Sequence, residues 1–406
     1  MGTVLFTYEF GAGLGHLTPL LAVAERLASH HRLVFALRDV DHGAETIRRA
    51  LGERAEVRQG VRWRPPEKRR GAARTLADAL WNAGFADRDK MAEVVREWGG
   101  LVDELRPDLL VADFAPGLRL ATLGRVPMIE VGYGYTTPPQ GRLLPPLRPW
   151  DPRVPAMSRA KEFQLLAWAN AARAAVGGPP VDHLADLFHG DETFVCTLPE
   201  LDPYAAYRDS STGPLVPSLR PGPAFSERSG PEVYAYLHGN HPQLKTILQA
   251  LTLSDRDAAV YISGVPAETV ASLCGRRIRV YRKPADYAAV LPQAKLVIHH
   301  GGLGTAHTAL AAATPQLMFP VRLEWQTNAR GVELLGAGRV GDPTATREAL
   351  ARQVSTLLEN TGLQAGAVSA SIRLHDALRQ DPVGLIAAAC EWRLRGGHAA
   401  PEPERV

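Results

Sequence analysis

Leu296-Val297-Ile298-His299-His300-Gly301-Gly302-Leu303-Gly304-Thr305 is the stretch on which the reading of the fold turns. A short apolar run suited to a buried strand leads into a turn carrying three glycines, and a helical pattern then runs to a stop at Thr314-Pro315. Strand, glycine turn and helix form the repeating unit of an open parallel sheet, and ligands of such sheets bind at the carboxyl ends of the strands. Glycine lets the backbone come close to a ligand, while the first turn of a helix offers unpaired N–H groups and a partial positive charge. Two imidazoles, and a hydroxyl residue, Thr305, expected at the helix cap, converge there, which suits a diphosphate held without a metal ion.

Outward from this turn the alternation continues in both directions. Strand patterns at Val233 to Leu237, Ala258 to Ile262, Ile278 to Tyr281 and Gln316 to Phe319 alternate with helical ones at Pro242 to Leu253 and Ala267 to Leu273. The first half does the same, with strands at Val4 to Phe10, Leu33 to Leu37, Asp108 to Ala112, Val126 to Val131 and Thr193 to Thr197. Helical patterns there cover Leu17 to Ala28, Glu45 to Leu51, Arg74 to Ala86, Lys90 to Leu105 and Arg159 to Val176. A chain of 406 residues exceeds what one core supports. The expectation is therefore α/β, with two Rossmann-like parallel-sheet domains facing each other across a cleft, at residues 1–215 and 233–395. Ser, Pro and Gly dominate from Asp209 to Glu232, which places a linker at 216–232, and residues 396–406 read as a flexible polar tail.

Composition narrows the function. With 45% hydrophobic and 22% charged residues there is apolar material for two cores, and a net charge of +3 is too small and too interleaved to mark a nucleic-acid binder. The densest basic run, Glu67-Lys68-Arg69-Arg70 with Arg62, Arg64 and Arg74 nearby, reads as a solvated loop. Cys196, Cys274 and Cys390 lie too far apart for a zinc knuckle and read as reduced thiols. The chain opens directly on a strand, and no apolar run reaches ~18 residues, so no transmembrane segment and a cytoplasmic location are expected.

The first half has its own glycine turn, Gly11-Ala12-Gly13-Leu14-Gly15-His16, before a helix opened by Thr18-Pro19. A dinucleotide-binding loop is the competing reading, but His16 stands where the third glycine of that fingerprint belongs. Asp113 closes the strand at Asp108 to Ala112, at the same end of the sheet.

Taken together these residues resemble the UDP-glycosyltransferase-like family of the GT-B fold, the family 1 glycosyltransferases that include bacterial macrolide and plant flavonoid enzymes. The likeness rests on His299 to Thr305 with Ala309-Leu310, Thr314-Pro315, Pro320, Glu324, Asn328-Ala329 and Gly336-Ala337-Gly338. It rests also on Gly15-His16-Leu17-Thr18-Pro19-Leu20-Leu21 and on Pro107 to Asp113. The resemblance implies His16 as general base with Asp113 polarising it, a role that suits the side chain whose ordinary pKa lies nearest neutrality. It implies a donor site of His300, Gly301, Gly302, Gly304, Thr305, Glu324, Gln326 and Asn328. Where the family has Asp-Gln, this sequence reads Glu324-Trp325-Gln326, and Thr308 replaces the glutamate that plant members place on the ribose. Trp81, Tyr133 and Tyr135 are candidates for an aromatic acceptor wall, and His238 and His241 for either donor contact or loop capping.

The implied activity is inverting transfer of a sugar from a UDP- or dTDP-sugar to a hydroxyl of a small, apolar or aromatic acceptor. It needs no metal and no cofactor beyond the nucleotide-sugar co-substrate, and no nucleic-acid partner is expected. A nucleotide-sugar epimerase of the same architecture, a non-catalytic accessory protein and a Rossmann oxidoreductase are the alternatives.

Overall fold

The computed structural model describes residues 1–11, 14–63, 72–216 and 221–397. Two compact units divide the chain: Met1–Pro199, Pro203–Leu215 and the stretch from Gln380 form the first, Glu200–Asp202 and Val216–Arg379 the second.

The first unit is built on β1 (Thr3–Tyr8), β2 (Arg32–Leu37), β3 (Ala55–Gln59), β4 (Leu109–Asp113), β5 (Met128–Gly132) and β6 (Glu192–Val195), in the order β3-β2-β1-β4-β5-β6. The second has β7 (Val233–His238), β8 (Ala258–Ser263), β9 (Ile278–Val280), β10 (Leu296–His299), β11 (Gln316–Met318) and β12 (Gly338–Val340), in the order β12-β11-β10-β7-β8-β9. Every pairing is parallel. Read from opposite edges, the two orders are the same Rossmann winding, whose strand order reverses between β1 and β4 and between β7 and β10. Those reversal points leave crevices beyond the carboxyl ends of the strands, and both sets of chemically distinctive residues fall there.

Alternation along the central strands explains why the sheet is covered on both faces. Leu5, Leu110 and Ala112 pack with Val94, Trp98 and Leu165 on one side, while Val4, Phe6, Leu109 and Val111 pack with Leu20 and Leu27 on the other. The edge strands β3 and β12 were not legible in the sequence, because Ala55-Glu56-Val57-Arg58-Gln59 and Gly338-Arg339-Val340 are short and half polar. The helical pattern from Arg74 to Ala86 resolves into a helix at Leu76–Leu80 and a wider turn at Trp81–Phe85, broken by Gly84 at φ 117°.

Two segments sit differently from the expected boundaries. The described part of the Ser/Pro/Gly stretch is pinned to the second unit rather than left loose. Gly222 donates its N–H to Ala312 O at 3.1 Å, and the buried Arg228 guanidinium donates to Ala294 O at 2.6 Å and Ala313 O at 3.0 Å. Residues 217–220, the run from Arg64 to Arg70 and the end of the tail lie outside the described residues; Arg62 caps Arg38 O at 2.7 Å, and Arg74 pairs with Asp151. At the other boundary, the helix Pro382–Leu394 belongs to the first unit. Ile386, Ala387 and Cys390 join the Val4, Phe6 and Leu20 core, and His31–Glu391 at 2.9 Å and Arg393–Glu192 at 2.8 Å fasten the helix there.

Ile386→Ala therefore weakens the first unit by about 2–5 kcal/mol, the usual loss for a buried aliphatic side chain. Native-state hydrogen exchange should quicken in β1 and β4 while β7 and β10 keep their protection; a change confined to the second unit would contradict this division.

Candidate active site

At the first reversal point Tyr8 of β1 lies in register with Asp113 of β4. His16 precedes the helix Leu17–Leu27, and its Nδ1 lies 2.7 Å from Asp113 Oδ2. The aspartate is fully buried, and its other oxygen accepts from Thr136 Oγ1 at 3.4 Å. A carboxylate in that position accepts a hydrogen bond from Nδ1–H, which leaves Nε2 as the basic nitrogen of the ring. The helix Pro116–Thr122 is N-capped by Ala115, so Asp113 is not its cap.

Aromatic rings hold the imidazole: Tyr8 stacks at 5.6 Å, Phe114 at 6.5 Å, and Tyr133 tilts at 6.0 Å while its hydroxyl donates to Gly15 O. Gly11 has φ 101°, and a Cβ there would lie 2.1 Å from both Nε2 and Cδ2 of His16. That glycine makes room for the ring. Ala12 and Gly13 lie outside the described residues. Tyr133 is thus brought to His16, whereas Trp81 stacks on Trp168 at 5.7 Å and Tyr135 packs half-buried against the core.

One residue here had no sequence signal. Glu9 looks like the continuation of a strand, yet it is fully buried and accepts from Trp63 Nε1 at 2.8 Å, Gly117 N at 2.9 Å and Leu118 N. Burial pushes its pKa up to about 7 against the pull of these donors. It ties β1 to the turn after β4.

In the second unit, β10 ends at His299, Gly301 takes φ 89°, and Gly302 is the N-cap of the helix Leu303–Ala311, which has no side-chain cap. Thr305, expected at the cap, instead lies buried in the first turn of the helix. The first turn has no side-chain cap and Gly304 is exposed, the arrangement in which a helix terminus can meet an anion. Asn328 and His299 shape it: Asn328 Nδ2 donates to Gly301 O at 3.0 Å, and His299 Nδ1 accepts Gly301 N–H at 3.1 Å while Nε2 donates to Gln316 Oε1 at 2.9 Å. Asn328, expected to touch the donor, has its amide committed to the turn.

His300 is the ring at the centre. His238 stacks on it at 4.5 Å, Trp325 packs at 4.2 Å, Tyr236 meets it edge-on at 5.2 Å, and the Arg322 guanidinium lies 4.7 Å from the Trp325 ring centroid. Its Nδ1 is buried without a hydrogen-bond partner. Burial, reinforced by His299, His238, His241 and Arg322, drives its pKa down to about 2, and burial takes His299 to about 4. His300 is therefore a neutral imidazole able to donate a hydrogen bond, not the positive charge a diphosphate counter-ion would need. Glu324 stands in the first turn of the helix Leu323–Leu334, and Gln326 is exposed. His241 caps a loop, with Nε2 donating to Phe319 O at 2.9 Å and Nδ1 accepting Gln243 N–H at 3.2 Å. No three His, Cys, Asp or Glu side chains among the described residues come together as a metal-ligand set, and no described helix is long and apolar enough to cross a membrane.

Two sheets in Rossmann order, with a carboxylate-held histidine at one reversal point and a glycine-capped helix terminus at the other, define the GT-B class. Residues 245–388 match the family described as "Erythromycin biosynthesis protein CIII-like, C-terminal domain". The chain is 28% identical to the vancomycin aglycone glucosyltransferase of Amycolatopsis orientalis over 51% of its own length and 53% of that protein's, so it spans about half of that relative. With the 3-alpha-mycarosylerythronolide B desosaminyl transferase of Saccharopolyspora erythraea it shares 23% identity over 77% and 72% of the two chains. The solved structure of glycosyltransferase VinC in complex with DTDP superposes with a TM-score of 0.65 at 18% identity, covering 96% of this chain and 99% of that one. The chain has the GT-B fold of such glycosyltransferase structures, and its residues 245–388 carry the match to the erythromycin-biosynthesis-type domain.

A neutral His300 has a measurable consequence. Its pKa of about 2 lies far below the ordinary 6.5, so acidification from pH 8 to 5 adds no charge to this ring. Affinity for an intact nucleotide sugar, whose diester phosphates do not titrate in that range, should stay within about twofold across it by calorimetry. Tightening by tenfold toward pH 5 would mean that the ring protonates on binding.

Proposed function

We propose that the protein transfers a sugar, with inversion, from a UDP- or dTDP-sugar to a hydroxyl of a small apolar or aromatic acceptor, without a metal ion. The observation that carries this reading is the His16 Nδ1–Asp113 Oδ2 contact of 2.7 Å at the first reversal point. An acceptor hydroxyl gives its proton to His16 Nε2 as its oxygen attacks the anomeric carbon; the bond from that carbon to the diphosphate oxygen breaks, and the nucleoside diphosphate leaves with the electron pair. Buried Asp113 stabilises the imidazolium that forms.

On the donor side the leaving diphosphate is met by the N–H groups of the uncapped turn Gly302 to Thr305 and by the neutral His300. That arrangement supports a metal-free mechanism, as helix terminus and imidazole supply the stabilisation a cation otherwise gives. Support for a nucleoside diphosphate donor comes also from VinC, the similar structure in complex with DTDP. Small-molecule acceptors are in keeping with the antibiotic aglycones named for the relatives. Trp325, packed on His300 where the family has glutamine, offers the sugar a ring face in place of an amide.

His16→Ala should leave nucleotide-sugar affinity nearly intact and lower turnover by ~10²–10⁴-fold, the usual worth of a general base. Turnover with an alcohol acceptor should fall further than with a phenol, which ionises with less help. Wild-type transfer to an alcohol by a folded His16→Ala protein would move the base to another residue.

A further inference from the structure

Behind the Asp113 carboxylate lies a second buried carboxyl that the proposed chemistry does not use. Phe114, directly after Asp113, has φ 53°, a left-handed conformation that phenylalanine keeps only where its surroundings impose it. Its N–H donates to Glu130 Oε1 at 2.9 Å, and its carbonyl accepts the Glu9 N–H at 3.4 Å. Three and four residues on, the Glu9 carboxylate takes the N–H groups of Gly117 and Leu118. The turn bearing Asp113 is therefore gripped at both ends by buried acids from neighbouring strands.

Glu130, on β5, is fully buried. The groups that face it are Asp113, Arg119, Glu9 and the Cys196 thiol. We propose that Glu130 is a positioning residue for the acid–base pair: by accepting the Phe114 N–H it fixes the left-handed turn that aims Asp113 at His16 Nδ1. Burial first, and the charge of Asp113 second, hold its carboxyl well above the usual range, against the Phe114 N–H and Arg119. Glu130 Oε1 supplies the acceptor that the Phe114 N–H needs in this buried turn.

This inference rests on His16 being the base, and its first test does not depend on turnover. In the full-length protein, the strongly deshielded Nδ1 proton of His16 is followed by NMR, and exchange of the Phe114 N–H is measured alongside. Glu130→Gln, which keeps a neutral acceptor of the same shape, should preserve both. Glu130→Met, which removes the acceptor, should shift or lose the His16 resonance and speed Phe114 exchange by about tenfold or more. An unchanged resonance in Glu130→Met, or equal damage from Gln and Met, overturns the proposal; if Glu130→Met does not fold, the Gln variant decides, since loss of either signal there overturns it as well. In turnover of a UDP- or dTDP-sugar, Glu130→Met should cost about tenfold in kcat with the donor KM unchanged. That loss should nearly vanish in an Asp113→Asn background, where a general destabilisation would persist. If His16→Ala costs no turnover, the base assignment fails, while the NMR arm still reports whether Glu130 holds the pair.

Discussion

A carboxylate with no access to water has to be paired, because an uncompensated buried charge costs several kcal/mol. Asp113 is such a group, and the architecture of the first unit follows from satisfying it. Its side-chain partners come from two separate places, His16 from the turn after β1 and Thr136 from the loop after β5, while Glu130 and Glu9 hold the backbone of the turn that follows it. Each element must arrive in register for the charge to be satisfied. The same pairing that makes burial tolerable fixes the His16 ring with Nδ1 against the carboxylate.

The turn between β10 and the helix Leu303–Ala311 is organised by the opposite means. It gathers few full charges, relying on a helix terminus whose first N–H groups carry no side-chain cap. Around it the imidazoles are neutral, because burial among Tyr236, His238 and Trp325 makes an imidazolium costly at His300. An aromatic wall with a backbone anion site at its edge suits a ligand that is part diphosphate and part sugar ring. Polar side chains that might have read sugar hydroxyls are partly spent on the scaffold, as Asn328 shows by holding Gly301 O.

Buried polar groups do similar structural work elsewhere. Arg228 lies in a stretch whose composition suggests a free linker, yet its guanidinium satisfies the carbonyls at the end of the helix Leu303–Ala311, including that of Ala313 at φ 54°. Burial brings its pKa down to about 10. Composition records what a segment is made of, and here one of the segment's anchors is a side chain with acceptors at Ala294 O and Ala313 O, 66 and 85 positions away.

The sequence by itself determined the parallel α/β class, the position of both glycine turns at strand ends, and the candidacy of His16, Asp113 and His300. Those signals are local: hydrophobic periodicity, glycine spacing and residue type are all written within a few positions of one another. Only the tertiary structure decided that Asp113 and His16, 97 positions apart, form a 2.7 Å pair, that Asn328 Nδ2 holds Gly301 O, and that the helix Pro382–Leu394 returns to the first core. It alone exposed Glu9 and Glu130, whose burial depends on what packs over them from distant parts of the chain. The physical reason is that a side chain's charge state and hydrogen-bond partners are set by its surroundings in space, and the sequence lists only its neighbours along the chain.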